Sequence, residues 1–98
     1  MQFWYDTIWA EESGGNNFTE TFTVNGIDAP ILAQCYLQEV NGGGNSKISI
    51  TAYVSGGTPH ENIDLQVLQG NEVTSVTFTL LVNNASARGV GMVLAIDE

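Results

Sequence analysis

The chain holds one histidine, His60, in the segment GGTPHEN, with Glu61 beside it and Asp64 close behind. A histidine oriented by a carboxylate can act as a general base, so a hydrolase site would have to be centred here. The glycine, threonine and proline around it are typical of a polar loop, and a catalytic centre needs several converging titratable groups. We therefore expect His60 to be an ordinary loop residue and the protein not to be an enzyme.

The single cysteine, Cys35, lies between Gln34 and Tyr36 on the apolar parity of a strand-like segment. Reactive thiols need partly exposed, electropositive surroundings, and Lys47 and Arg88 are the only basic residues in the chain. The sequence therefore predicts a buried, unreactive thiol. One cysteine also excludes an internal disulfide, so the fold must be held by packing.

Cofactor and metal sites have no support in the sequence. One histidine and one cysteine so far apart do not form a transition-metal site, and no EF-hand spacing or phosphate-binding glycine motif occurs. Glu11 and Glu12, like Asp97 and Glu98 at the end, are interpreted as a solvated acidic rim. We expect no cofactor and no bound metal.

The charge balance limits the partners. Eleven carboxylates against two basic residues give a net charge of −9. Nucleic acids and anionic membranes are bound through clusters of Lys and Arg, so neither partner is expected. Only 13% of residues are charged, against roughly 25% in ordinary soluble proteins. Interface cores are depleted in charge, so this composition favours protein–protein burial or contact with sugars.

The length of 98 residues predicts one domain, 1–98, with a single core. The opening MQFWYDTIWAEE lacks the features of a signal peptide, and no apolar run reaches the ~20 residues that cross a bilayer. We expect a cytoplasmic protein, or a component of a particle assembled in a cytoplasm.

Apolar and polar residues alternate with a period of two, which predicts β-strands, and no helical apolar stripe is present. The predicted strands cover residues 2–10, 18–24, 31–40, 47–54, 63–68 and 73–84 and the segment GVGMVLAIDE. The segments NGIDAP, NGGGNS, SGGTPHEN and QGNE are predicted to be breaks, loops or turns. About seven strands at this spacing predict an all-β fold, a single antiparallel β-sandwich of the jelly-roll kind.

Alternation also predicts which residues share a sheet face. In the strand 47–54 the inward residues are Ile48, Ile50, Ala52 and Val54, with Lys47, Ser49, Thr51 and Tyr53 outward. In the strand 73–84 the residues that share a face are Val76, Phe78, Leu80 and Val82, and in the last strand they are Val90, Met92, Leu94 and Ile96. The first strand has apolar residues on both faces, which suggests that it is covered by the core on one side and by a neighbour on the other. Trp4, Ile8 and the final strand are the predicted contact with that neighbour, and Tyr36 and Tyr53 point to the more polar faces.

The C-terminal half resembles the end of the H-type lectin family. Val73-Thr74, Phe78-Thr79-Leu80 and Leu94-Ala95-Ile96 match successive elements of that family's pattern, and Pro30-Ile31-Leu32 matches one of its strand starts. The resemblance implies an H-type-lectin-like antiparallel sandwich that forms trimers. It also implies that Asn83, Asn84 and Arg88 are the counterparts of the family's sugar-contacting side chains.

The chain is also similar in composition to small β-sandwich modules of bacteriophage virions, such as capsid decoration (cement) and tail proteins. We therefore expect a non-enzymatic structural protein on a virion surface, a homo-oligomer with a trimer favoured, acting through protein–protein contacts. The alternative is a carbohydrate-binding, lectin-like module. For either role the candidate contact residues are Trp4, Ile8, Tyr36, Tyr53, His60, Asn83, Asn84 and Arg88.

Overall fold

The computed structural model describes residues 2–61 and 66–96, and the backbone alone over 66–72. Its strands are β1 (Gln2–Glu12), β2 (Phe18–Asn41), β3 (Asn45–Val54), β4 (His60–Glu61), β5 (Gln66–Asn83) and β6 (Ala85–Ala95). They form one antiparallel sheet in the order β1-β6-β2-β5-β3-β4. The predicted all-β antiparallel fold is confirmed. No helix that could cross a membrane is found in the described ranges.

The 24-residue strand β2 lies in the middle of the sheet, between β6 and β5. Residues 18–25 pair with β5 alone, residues 31–33 pair with both β5 and β6, and the remaining residues up to 41 pair with β6 alone. The prediction that NGIDAP ends a strand is wrong: the strand continues through register shifts, with Gly26 at a φ of 74°. A bulge of this kind bends a strand without ending it, and it tolerates Pro30, which has no N–H to donate. Ile27 and Ala29 are buried at the bend and keep it attached to the core.

The sheet folds back on itself into two layers. The first layer contains residues 18–25 of β2 with β5, β3 and β4, and the second contains residues 31–41 of β2 with β6 and β1. Strands β3 and β6 are not neighbours in the sheet, yet a Cβ placed on Gly89 of β6 would lie 2.6 Å from Cδ1 of Ile48 in β3. This close approach brings the two layers face to face, which is the arrangement of a β-sandwich.

Two groups of buried side chains fill the space between the layers. Around Phe78, whose ring stacks on Phe22 with centroids 4.5 Å apart, the larger group contains Val24, Ile27, Ala29, Ile31, Ala33, Ile50, Ala52, Val73, Val76, Val93 and Ala95. The smaller group contains Ala10, Leu80, Val82 and Ala87. The predicted inner residues of β3 and β5 are therefore confirmed. Ile50, Ala52, Val76, Phe78, Leu80 and Val82 are all fully buried, and Ile48 and Val54 are partly buried against the two groups.

The inner face of β6 differs from the expectation. The residues that line the core are mainly the small ones on the other parity, namely Ala85, Ala87, Gly89, Gly91, Val93 and Ala95. Of the four residues predicted to share the inner face, Val90 is fully buried, whereas Met92, Leu94 and Ile96 are only half-buried. The reason is the space available: a Cβ on Gly91 would lie 2.6 Å from both Phe22 Cζ and Phe78 Cδ1. The aromatic pair already occupies this space, so the facing strand must carry small residues.

Two further predictions of local structure are wrong. The segment QGNE was expected to be a turn, but it lies within β5, which extends from Gln66 to Asn83 and shifts its register with β2 between residues 68 and 73. His60 and Glu61 were expected in a loop, but they form the short strand β4 beside Thr51 and Ala52. The start of the predicted strand 63–68, including Ile63 and Asp64, lies outside the described residues, as do Asp97 and Glu98.

Candidate interaction surface

The outer face of the second layer carries a grid of aromatic and apolar side chains. Residues directly opposite each other on neighbouring strands point to the same face, so the register defines its rows. These rows are Phe3–Leu94–Leu32, Tyr5–Met92–Gln34, Thr7–Val90–Tyr36 and Trp9–Arg88–Glu39. We call this surface the aromatic face.

The aromatic side chains of this face are widely accessible to solvent. Phe3 is 60% exposed, Tyr5 55%, Trp9 42% and Tyr36 41%. Next to Phe3, the side chains of Leu32, Gln34, Met92 and Leu94 line a shallow hollow of about 150 Å³. Scattered exposed apolar residues are ordinary, but a contiguous exposed patch marks a site of interaction.

Charge is confined to one end of the aromatic face. The first three rows contain no Asp, Glu, Lys or Arg, although the chain carries eleven carboxylates. The fourth row contains Arg88, whose guanidinium carbon lies 5.6 Å from the centroid of the Trp9 ring. This distance permits a cation–π interaction, which favours one orientation of the indole.

Strand β1 presents its aromatic residues outward because its alternate residues are held by the core. Ala10 is buried, Trp4 packs against the larger core group, and Ile8 packs against the smaller one. The split of this strand into two apolar faces is therefore confirmed. Trp4 and Ile8, which were predicted to contact a partner, lie on the inner side of the strand.

The other predicted contact residues do not converge. Tyr36 and Arg88 share the aromatic face, but Tyr53 is 40% exposed on the outer side of β3, in the first layer. His60 is opposite Ala52 at the β4 edge of the sheet, which is the edge farthest from β1 in the strand order.

Asn83 and Asn84 serve the turn between β5 and β6. The amide of Asn83 donates to the carbonyl of Gly15 at 3.3 Å and to Oδ1 of Asn17 at 2.9 Å. Asn84 has a φ of 49°, a left-handed conformation that asparagine tolerates better than most residues. The side chain of Asn83 therefore connects the turn to the β1–β2 loop, and the backbone of Asn84 forms the turn itself.

The aromatic face contains four large apolar residues that were not predicted as contacts, namely Phe3, Tyr5, Trp9 and Leu32, whereas Met92 and Leu94 belong to the final strand, which was predicted to contact a neighbour. The signal for them is present in the sequence, because β1 and residues 31–40 carry apolar side chains on both parities. A strand of this kind has more apolar surface than one core can cover.

The outer face of the first layer has a different chemistry. Its central rows are Thr21–Thr79–Ser49 and Thr23–Thr77–Thr51, and the hydroxyls of Thr23 and Thr77 are 2.9 Å apart. We call this surface the hydroxyl face. The two exposed sides of the sandwich thus differ sharply, and the aromatic rows lie on one side only.

Within the described residues, no group of three or more His, Cys, Asp and Glu side chains is placed to hold a metal ion. Cys35 is half-buried against the larger core group, in the second layer, whereas His60 is in the first. The carboxylate of Glu12 accepts the backbone N–H groups of Gly14 at 2.6 Å and Asn16 at 3.1 Å, so it organises its own turn.

No family model matches the chain, and no curated protein or solved structure matches it.

Proposed function

We propose that this protein is a non-enzymatic structural module that assembles with copies of itself and with a larger protein partner through the aromatic face. The observation that carries the proposal is the group of exposed rings, Phe3, Tyr5, Trp9 and Tyr36, on one largely uncharged sheet face. Aromatic residues are enriched at the centres of protein interfaces, where charged residues are depleted.

The size of the face indicates how it would be used. About half of each exposed ring is accessible, so covering the four rings removes about 400 Å² from water. At ~25 cal/mol per Å² this contributes about 10 kcal/mol, comparable with the ~4–15 kcal/mol that association costs in lost freedom. One face alone gives modest affinity, and repeated copies on a symmetric particle convert modest affinity into firm attachment.

A virion provides such repetition. We propose that the chain is a bacteriophage virion component, a capsid decoration or tail module, assembled in the host cytoplasm and displayed on the particle surface. Its net charge of −9 suits an outer position, because packaged nucleic acid would repel it.

Tyr36 and Tyr53 provide a matched test, since they are 41% and 40% exposed on opposite sides of the sandwich. We expect the wild type to form multimeric species in sedimentation velocity and to travel with large particles in a density gradient of the producing cells. Tyr36→Ser should lose that association, and Tyr53→Ser should retain it. A wild type that remains a monodisperse monomer at the top of the gradient would contradict the proposal.

A carbohydrate-binding module is the second candidate function. The observation that favours it is the combination, on one face, of the Trp9 and Tyr36 rings with the polar side chains of Gln34, Glu39 and Arg88. Rings that stack on sugars and polar groups that bind hydroxyls occur together in sugar sites. A glycan array tests this candidate, and Trp9→Ala should abolish any signal. An array without binding to any glycan removes it.

A further inference from the structure

Strand β1 forms one edge of the sheet. It pairs with β6 on one side, and no strand in the described part of the chain pairs with its other side. Over its 11 residues β1 contains no proline, lysine or arginine, and its register with β6 is unbroken. Proteins prevent edge strands from pairing with other chains by means of proline, lysine, bulges and charged residues on the inward parity. Of these, the interior of β1 has only Asp6, on the parity of Trp4 and Ile8, so most of this edge remains competent to pair.

We propose that a second copy of the chain pairs with this edge, β1 antiparallel to β1, so that one continuous sheet runs through both molecules. This inference rests on the proposed function and identifies the first partner in the assembly. The pair is two-fold symmetric, unlike the trimer implied by the lectin resemblance, because antiparallel pairing of identical edges relates the copies by a two-fold axis.

The residues of β1 select one register. In a two-fold pair one residue lies opposite its own copy, and Asp6 opposite Asp6 would place like charges together. Ile8 opposite Ile8 would place Tyr5 against Glu11. Thr7 opposite Thr7 instead places Tyr5 against Trp9 twice, and no carboxylate then faces another carboxylate across the two strands. Aromatic cross-strand pairs stabilise a sheet, so the register centred on Thr7 is favoured.

The backbone at Thr7 is oriented for this contact. Its N–H donates to Oδ1 of Asp6 at 2.8 Å, so the N–H is directed to the free edge. In an antiparallel strand the backbone N–H and C=O groups of successive residues point alternately to the strand on one side and to the strand on the other. Since those of Thr7 point away from β6, Thr7 would form a hydrogen-bonded pair with its copy. Asp6 therefore competes with the second copy for the central N–H group, and its carboxylate limits the strength of pairing.

Pairing also enlarges the aromatic face. Edge pairing leaves the outer side of β1 uncovered, so the rows containing Tyr5 and Trp9 continue directly into those of the second copy. Two faces of about 400 Å² together approach the ~800 Å² per partner of a standard interface. The pair is thus the unit that offers a surface of sufficient size to a larger particle.

Sedimentation equilibrium of the full chain over a range of concentrations tests the pair. We expect a monomer–dimer equilibrium that tightens when salt is added, because each copy has a net charge of −9 and salt screens repulsion between them. Thr7→Pro removes the edge N–H at a position where an edge strand tolerates proline, and it should give a monomer. Thr7→Val keeps the N–H and should pair as the wild type does. Asp6→Ala should lower the dimer dissociation constant by about tenfold.

Circular dichroism reports whether the Thr7→Pro variant is folded. Disulfide cross-linking tests the register of the pair without relying on that variant. In the proposed register the two Thr7 Cα atoms lie about 5.5 Å apart, within the range of a disulfide, so Thr7→Cys should form a covalent dimer on oxidation. Thr21→Cys, on the hydroxyl face, should not. A strictly monomeric wild type, unchanged pairing in a folded Thr7→Pro variant, or absent Thr7→Cys dimer would overturn the inference. A wild-type mass of three subunits would overturn the pair but support the proposed assembly function.

Discussion

Gly91 is the position where a single added methyl group has the most predictable cost. Its Cβ would lie 2.6 Å from Phe22 Cζ and from Phe78 Cδ1, and 2.7 Å from Phe78 Cε1. The two rings stack on each other, and Phe78 is fully buried, so the Phe78 ring has no open space to move into. Gly91→Ala therefore forces a shift in the centre of the larger core group.

The magnitude follows from two opposing effects. Overpacking a well-packed core costs about 1–3 kcal/mol. Because the new methyl group would press against two stacked rings, we expect Gly91→Ala to cost about 3 kcal/mol, at the upper end of this range. Replacing glycine restricts the unfolded chain, which offsets about 0.4–1 kcal/mol. We expect a net loss of about 2 kcal/mol in the free energy of unfolding, which corresponds to a fall in Tm of roughly 8–16 °C for a domain of this size.

Urea denaturation followed by tryptophan fluorescence measures this loss, with Gly43→Ala as the matched control. A Cβ on Gly43 would meet no atom within 4 Å, so only the unfolded-state effect remains and the control should be neutral or slightly stabilised. The reasoning is refuted if Gly91→Ala unfolds within about 0.5 kcal/mol of the wild type, because the close contact between the layers would then not exist.

Three further outcomes are expected from urea denaturation. Asn84 has a φ of 49°, so Asn84→Ala should cost about 1 kcal/mol whereas Asn84→Gly should be nearly neutral; equal losses would contradict this. Glu12 accepts two backbone N–H groups of its turn, so Glu12→Ala should cost about 1 kcal/mol, and a neutral result would show that water replaces the carboxylate. Arg88→Ala should cost about 0.5–1 kcal/mol through its contact with Trp9, and Trp9→Ala should cost less in the Arg88→Ala background than in the wild type by a similar amount; full additivity would exclude the cation–π contact.

The strands that alternate cleanly were predictable from the sequence. In β3 the inward Ile50 and Ala52 and the outward Lys47 and Tyr53 follow directly from a period of two. The same is true of β5 from Val76 onward. Such strands face one core on one side, so hydrophobicity alone assigns the side.

The bend of β2 and the inner face of β6 were not predictable in this way. Asn25-Gly26 and Pro30 are local turn signals, and burial of Ile27 and Ala29 between the layers overrides them. In β6 Met92 and Leu94 point away from the core and are half-buried, although Val90 on the same parity is fully buried, because the inner parity must be small enough to fit against Phe22 and Phe78. Both outcomes depend on how the side chains of strands distant in sequence fit together. The sequence of one strand does not show how large the side chains packed against it are.

The aromatic face was predictable in part. Tyr36 and Arg88 were expected to be contact residues, and both lie on it. Trp4 and Ile8 were chosen on β1, but the outward residues are Phe3, Tyr5 and Trp9. Both parities of that strand are apolar, so periodicity identifies two candidate faces. Only the packing of Ala10 and Ile8 in the smaller core group shows which face is inward.

The passage of one strand through both layers has a mechanical consequence. A force applied to residues 31–41 of β2 is transmitted through the covalent backbone to residues 18–25. There the strand is hydrogen-bonded to β5, and a pull along the strand loads many of these hydrogen bonds at the same time. The layers therefore cannot be peeled apart by separating apolar surfaces alone, since β2 would have to be torn from β5 or β6 at the same time. Tension applied to one layer of the sandwich is therefore transmitted to the other layer through the continuous backbone of β2.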